Sequence, residues 1–192
     1  NVVSLEDPVE YQIPGVSQSQ VMPEIGYTFA VGLRSILRQD PNIIMVGEMR
    51  GKDTIGTAVT AAETGHLVMS TLHTNNASQT IDRIIDSFPE GQQDQIRVQL
   101  SGSLAGIFSQ RLIPRISGGL IPAYELLINT AAVSNLIREK RSHELQTVIE
   151  TGLEQGMIDM NRSLVELVQK GEITVENAFA YSTNPKGLER LM

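Results

Sequence analysis

Ile43-Ile44-Met45-Val46 is apolar at four consecutive positions, with no polar residue alternating through the run. A strand of this kind is covered on both faces, which is the situation of a strand inside a parallel sheet. Val2 to Leu5 and Leu67 to Leu72 are two further runs of strand length. Between the first two lies Asp7 to Tyr27, rich in proline and glycine (Pro8, Pro14, Gly15, Pro23, Gly26), which reads as a long surface loop. Loops of that length in a compact domain are usually functional or mobile. Thr28 is the expected N-cap of a helix reaching about Arg38, stopped by Asp40-Pro41. Asp53 is the expected cap of a helix through Ala62, with Gly65 at its C′ position. Asn76 opens a helix to about Phe88, and Gln92 to Ser109 reads as another. Short strands are expected near Arg111–Pro114 and Ile121–Ile128, around a Gly118-Gly119 turn.

From Thr130 onward only helical spacing remains, over Ala131–Arg138, Ser142–Glu154, Asp159–Lys170 and Thr174–Tyr181. Strands alternating with helices and then helices alone predict an α/β fold: a mostly parallel sheet with flanking helices, followed by a small helical bundle. The change of pattern divides the chain into 1–129 and 130–192.

Composition excludes several classes. There is no cysteine, so neither disulfides nor cysteine-ligated metal centres are possible. No apolar run approaches the roughly 20 residues a bilayer span needs. The net charge of −7, with 22 acids against 15 bases, argues against a nucleic-acid partner, which requires a basic face. The densest basic cluster, Arg138, Lys140 and Arg141, is most simply a solvated helix end. The chain opens directly on a strand at Asn1, without an initiator methionine, and reads as a piece of a longer protein.

Ligands of open parallel sheets bind beyond the carboxyl ends of the strands. Past the first strand stand Glu6, Asp7 and Glu10; past the second, Gly47 and Glu48; past the third, Thr71, Leu72 and His73. Three strands thus deliver acids, an acid and an imidazole to one rim. A single acid ending an apolar strand can hold a magnesium shell or orient attacking water, although strand ends are wet and any acid can stand there. Gathered carboxylates such as Glu6, Asp7 and Glu10 suit magnesium, which keeps several waters and needs few protein ligands, or else form a solvated acidic loop. His66 and His73 are seven positions apart, an odd spacing that points them to opposite faces, so they are poor partners for one metal ion. His66 can satisfy a backbone carbonyl at the strand start, whereas His73 can donate to a γ-phosphate; His143 reads as structural. No G-x-x-x-x-G-K-[ST] loop occurs anywhere, and that loop carries most phosphate affinity, so this chain alone is expected to bind ATP poorly.

Three segments resemble the signature boxes of the secretion and pilus ATPases. Val3-Ser4-Leu5-Glu6-Asp7-Pro8-Val9-Glu10 is similar to their aspartate box. Asp40-Pro41-Asn42-Ile43-Ile44-Met45-Val46-Gly47-Glu48-Met49-Arg50 is similar to their Walker B segment, and Thr64-Gly65-His66-Leu67-Val68-Met69-Ser70-Thr71-Leu72-His73-Thr74 to their histidine box. The boxes stand in the family's order, and the similarity covers nearly the whole chain. Ala132-Val133-Ser134-Asn135-Leu136-Ile137-Arg138-Glu139 resembles the A-I-R-N-L-I-R-E motif of the retraction (PilT) type, with Val133 and Ser134 in place of the first Ile and Arg. Gly51 is a further departure, since relatives often carry an acid there.

The resemblance implies a RecA-like core lacking its phosphate loop, and a motor ATPase that retracts type IV pili in twitching motility. It implies ATP and Mg2+ as cofactors, with nucleotide held between this core and an N-terminal domain. The implied assembly is a homo-hexamer in the cytoplasm, peripheral at the inner-membrane pilus base and docked on a membrane platform protein. Carried over by position, Glu48 is the Walker B carboxylate, Glu6 a candidate for polarising water, and His73 the group approaching the γ-phosphate. Asp7, Glu10, Gly47, His66 and Thr71 belong to the nucleotide pocket. Glu6, Asp7 and Glu48 are implied around the magnesium, partly through water, and the general base is either Glu6 or Glu48. Arginines reaching across the cleft are also implied, with Arg34 and Arg38 at matching positions. An assembly or secretion ATPase of the same fold would share every box, and a non-catalytic ring module is the rival of another class.

Overall fold

A computed structural model describes residues 1–192. It resolves into two compact units, residues 1–73 with 82–104 and residues 74–81 with 105–192.

The first unit is built on a parallel sheet of β1 (Val2–Glu6), β2 (Val16–Gln20), β3 (Ile43–Val46) and β4 (Leu67–Ser70), in the order β2-β1-β3-β4. The expected loop over 7–27 therefore contains an edge strand. Val16-Ser17-Gln18-Ser19-Gln20 is polar and only part-buried, so the ladder to β1 holds it rather than apolar burial, and hydrophobic patterning gives no sign of it.

Val3 and Leu5 of β1 and Ile44 and Val46 of β3 are at most 2% exposed. They pack against Leu33 and Ile36 of α1 (Phe29–Ile36) and Ala58 and Ala61 of α2 (Lys52–Glu63). Thr28 caps α1 as expected, accepting from the Val31 N–H at 3.4 Å. Helix α2 starts earlier than expected, with Gly51 as N-cap. Asp53 lies instead in its first turn, where a carboxylate still favours the positive helix end. Gly65, at φ +101°, follows the C-cap Thr64. Two further helices are α3 (Ala77–Asp86) and α4 (Glu90–Ser103); α4 packs on α2, and Gln99 donates to Glu63 at 2.7 Å.

The helix expected to reach Ser109 stops at Ser103, because from Gly106 the chain pairs across to another strand. The second unit contains this antiparallel hairpin, β5 (Gly106–Pro114) and β6 (Leu120–Ile128). A Cβ at Gly106 would lie 2.7 Å from the Leu127 carbonyl oxygen, so the close approach requires glycine. Gly118 and Gly119 turn the hairpin with positive φ. Ile113 and Ala123 on its inner face pack with Met160, Leu164 and Val165 of α7 (Met160–Gln169) and with Ala178 of α8 (Val175–Tyr181). The hairpin therefore groups with the C-terminal helices, whereas the change of sequence pattern falls after residue 129.

Helix α5 (Ala131–Arg138) matches expectation. The expected helix 142–154 is broken into a 3-10 turn, α6 (Leu145–Thr151) and a second 3-10 turn. Gly152 interrupts it where a Cβ would come within 2.7 Å of Met157 Sδ. A final helix, α9 (Pro185–Leu191), is capped by Asn184 and escapes periodicity because it is only seven residues long. No helix is long and apolar enough to cross a membrane.

The sheet core should be unforgiving of lost volume. Leu5→Ala is expected to lower unfolding stability by about 2–5 kcal/mol, read from the midpoint of a urea melt.

Candidate active site

The parallel register aligns Leu5 with Val46 and Val46 with Ser70, so β1, β3 and β4 end level with one another. The ladder continues one residue further, with the Gly47 N–H donating to the Leu5 carbonyl at 2.8 Å. A Cβ at Gly47 would sit 3.2 Å from that carbonyl and 3.4 Å from Glu6 Cα, so glycine lets the two strand ends approach. Thr71 Oγ1 donates to the Gly47 carbonyl at 2.5 Å, and the Met49 N–H donates to the Thr71 carbonyl at 3.1 Å. Together these bonds stitch the segment after β3 to the segment after β4.

On this frame Glu48 and His73 meet. Glu48 Oε2 lies 3.3 Å from His73 Nε2, and Glu48 Oε1 lies 2.5 Å from an Arg50 guanidinium nitrogen. The Glu48 side chain is 14% exposed, whereas Arg50 and His73 reach into solvent at 77% and 90%. The Arg50 hydrogen bond holds the Glu48 carboxyl below its ordinary value, against the opposing effect of burial; the charges of Arg50 and His73 add to it. Glu48 is therefore a shielded, firmly ionised carboxylate beside an accessible imidazole. Sequence reasoning singles out both residues but assigns no role to Arg50. Its position two residues after Glu48, inside the same box, was the available signal.

Glu6 stands on the same rim but turns elsewhere. Its Oε1 accepts from Ser4 Oγ at 2.5 Å and Gln18 Nε2 at 2.9 Å. Ser4 and Gln18 are register partners on neighbouring strands, so the edge strand missing from the sequence reading supplies one of the Glu6 contacts. Gln18 also donates to the Tyr11 carbonyl at 2.9 Å and accepts from the Ile13 N–H at 2.7 Å, tying the intervening loop to the sheet. Asp7 and Glu10 are exposed, and Asp7 adds to the charge field around Arg50.

Glu6 is engaged by neutral donors, Ser4 of β1 and Gln18 of β2, and Glu48 by Arg50. His66 makes the backbone contact expected of it at the start of β4. Its Nδ1 lies 2.9 Å from the Ala61 carbonyl and 3.2 Å from Thr64 Oγ1, closing the end of α2. His66 and His73 thus flank opposite ends of β4. The arginines Arg34 and Arg38 are exposed, Arg34 within α1 and Arg38 just past its end.

The residues present fit the reacting end of a magnesium nucleotide: an ionised carboxylate and a solvent-facing imidazole in contact, over a backbone that glycine brings close. They do not include a phosphate cradle.

Glu48 has a lower pKa folded than unfolded. The Arg50–Glu48 pair therefore contributes stability above the ordinary glutamate value of 4.5, and loses it as pH falls through the depressed value. Arg50→Ala is expected to raise the Glu48 pKa towards 4.5, read by 13C NMR titration of the carboxyl.

Comparison with known proteins follows the same lines. The family model described as "Type II/IV secretion system protein" matches residues 1–120. The type IV pilus retractation ATPase PilT of Pseudomonas aeruginosa is 45% identical over 182 residues, spanning 93% of this chain and 53% of that protein. The type IV pilus assembly ATPase PilB of Thermus thermophilus is 50% identical, but over only 119 residues, 60% of this chain and 12% of that protein. Among solved structures, the crystal structure of the pilus retraction motor PilT with bound ADP superposes with a TM-score of 0.88 at 47% identity, covering 98% of this chain and 54% of that one. The chain spans about half the length of the retraction-type relative. The fold is accordingly a RecA-like α/β core with appended helices, and the chain belongs to the type II/IV secretion system protein family.

Proposed function

We propose that this chain is the hydrolytic half of a hexameric ATPase that retracts type IV pili, with Glu48 and His73 at the reacting phosphate. The observation that carries the reading is the contact between the shielded Glu48 carboxylate and the exposed His73 imidazole at the aligned strand ends. ATP with Mg2+ supplies the phosphoanhydride bond and the charge that neutralises its oxygens. Glu48, kept ionised by Arg50, orients water or accepts its proton, and His73 offers a hydrogen bond to a terminal phosphate oxygen. Glu6, held by Ser4 and Gln18, and Asp7 would hold the magnesium through its water shell, and the ion would supply positive charge to the phosphate oxygens. Glu10, Gly47 and Thr71 complete the pocket on this side.

Retraction is favoured over assembly by where similarity ends. The assembly-type relative matches 60% of this chain, whereas the retraction-type relative matches 93%, including the helices after the hairpin. The family-wide match over 1–120 supports an ATPase core within 1–129, and the retraction-like segment Ala132–Glu139 lies on α5 in the helical region 130–192. Six subunits would form a ring in the cytoplasm at the inner-membrane base of the pilus, docked on a platform protein. ATP-dependent contacts present in one state and lost in another would then supply the motion.

In the full-length protein, Glu48→Gln is expected to retain ATP binding while turnover falls by roughly two orders of magnitude or more; undiminished hydrolysis would remove Glu48 from the mechanism. Deleting the locus should leave cells with surface pili but without twitching, scored by microscopy and stab-plate spreading. Bald cells would instead indicate an assembly motor.

A further inference from the structure

The second unit contains a polar cleft of about 280 Å³, lined by residues at the start of α3, along α6 and at the openings of α7 and α9. Asn76, His143, Gln146, Glu150, Asp159 and Asn184 are among its walls. Sites that enclose a whole small ligand run from roughly 300 to 1,000 Å³, so this cleft suits one long side chain rather than a nucleotide.

Asp159 is only 4% exposed, and a carboxylate is kept at such depth where its oxygens are used. One oxygen accepts from the Arg162 N–H at 3.1 Å and caps α7. The other stands 3.7 Å from Arg162 Nε, beyond hydrogen-bond reach, in a residue that lines the cleft. Glu150 adds an exposed carboxylate to the same walls. A third acid, Glu125, is 3% exposed and accepts from the Ala77 N–H at 2.9 Å and from the Gln146 side chain. Burial pushes the Glu125 carboxyl up, and the charge of Asp159 pushes the same way while Arg111 opposes. The cations at hand are engaged: Arg111 donates to the Tyr181 carbonyl at 3.1 Å, and His143 stands 3.6 Å from Glu144.

The amide side chains divide into acceptors and donors. Gln146 gives its N–H to Glu125, which leaves its amide oxygen as an acceptor. Asn76 and Asn184 spend their side-chain oxygens on the Gln79 and Gly187 N–H groups at 2.9 and 3.0 Å, which leaves their amide nitrogens as donors. Asn161, donating to the Asn184 carbonyl and accepting from the Ser182 hydroxyl, fixes the wall beside them. The cleft thus offers carboxylates and an amide oxygen to a cation, and amide nitrogens to carbonyl oxygens. A guanidinium on a peptide backbone needs both, and its planar fork of donors matches carboxylates better than a point-like ammonium does.

We propose that this cleft binds an arginine side chain presented by a polypeptide partner, with Asp159 and Glu150 receiving the guanidinium and Asn76 and Asn184 the flanking backbone carbonyls.

The test is calorimetric titration of the full-length protein with N-acetyl-arginine amide, beside N-acetyl-citrulline amide, which has the same shape without the charge. The arginine amide should bind once per chain with a Kd of about 1 mM or below. The citrulline amide should bind at least about tenfold more weakly, because hydrogen bonds between charged groups are the stronger ones. Equal binding of the two, or no saturable heat with either, overturns the proposal. Asp159→Asn keeps the cap of α7, since Asn caps as well as Asp, and should weaken the arginine amide about tenfold with the melting temperature little changed. Glu150→Arg, at an exposed position that tolerates substitution, should abolish binding by supplying the chain's own guanidinium. Unchanged binding in Glu150→Arg overturns the assignment, as does unchanged binding in a folded Asp159→Asn; if Asp159→Asn melts early, Glu150→Arg decides alone. Free L-arginine, with an added carboxylate facing Glu150, should bind more weakly than the blocked form. Tighter binding of free L-arginine would give the cleft to the amino acid and overturn the polypeptide partner.

Discussion

The backbone ladder joining β1, β3 and β4 is the constraint on which the rest of the site depends. Parallel strands in a common register must end at a common edge, so the residues after each one arrive together whatever their side chains. One additional bond, from the Gly47 N–H to the Leu5 carbonyl, carries the alignment past the last formal strand residue. Thr71 and Met49 then lock the two following segments to each other with a side-chain and a backbone bond. The ladder thereby brings together the two segments that carry Glu48 and His73, whose side chains meet at 3.3 Å.

The rim treats its two glutamates differently. Glu6 is held by neutral donors, a hydroxyl from its own strand and an amide from the edge strand. Glu48 is held by a guanidinium and faces an imidazole. The cation beside Glu48 favours its ionised form. Gln18 extends the arrangement outward, since it grips both Glu6 and the loop at Tyr11 and Ile13.

Much of this was legible in the sequence where burial dictates residue type. The buried faces of β1 and β3 and the apolar stripes of α1, α5 and α7 declare themselves through periodicity, and Thr28, Asp159 and Thr174 declare their caps. The strand β2 does not, because an edge strand held by backbone bonds can be polar throughout. The end of α4 is hidden in the sequence because Ile107 and Phe108 continue an apolar helical spacing, and only pairing with β6 decides against a helix there. At the site, Glu48 and His73 followed from their places after strands. The backbone contact of His66 was likewise expected from its place at the strand start, whereas the pairing of Arg50 with Glu48 is encoded by no periodicity.

The last strand of the parallel sheet has a neighbour on one side only, and Leu67 and Met69 on it are about half exposed. A free row of amides and carbonyls beside apolar side chains is a template for another strand. Handled as an isolated polypeptide, this chain would be inclined to self-associate along β4. A charged residue introduced at either position would improve its solubility without touching the strand ends where Glu48 and His73 meet.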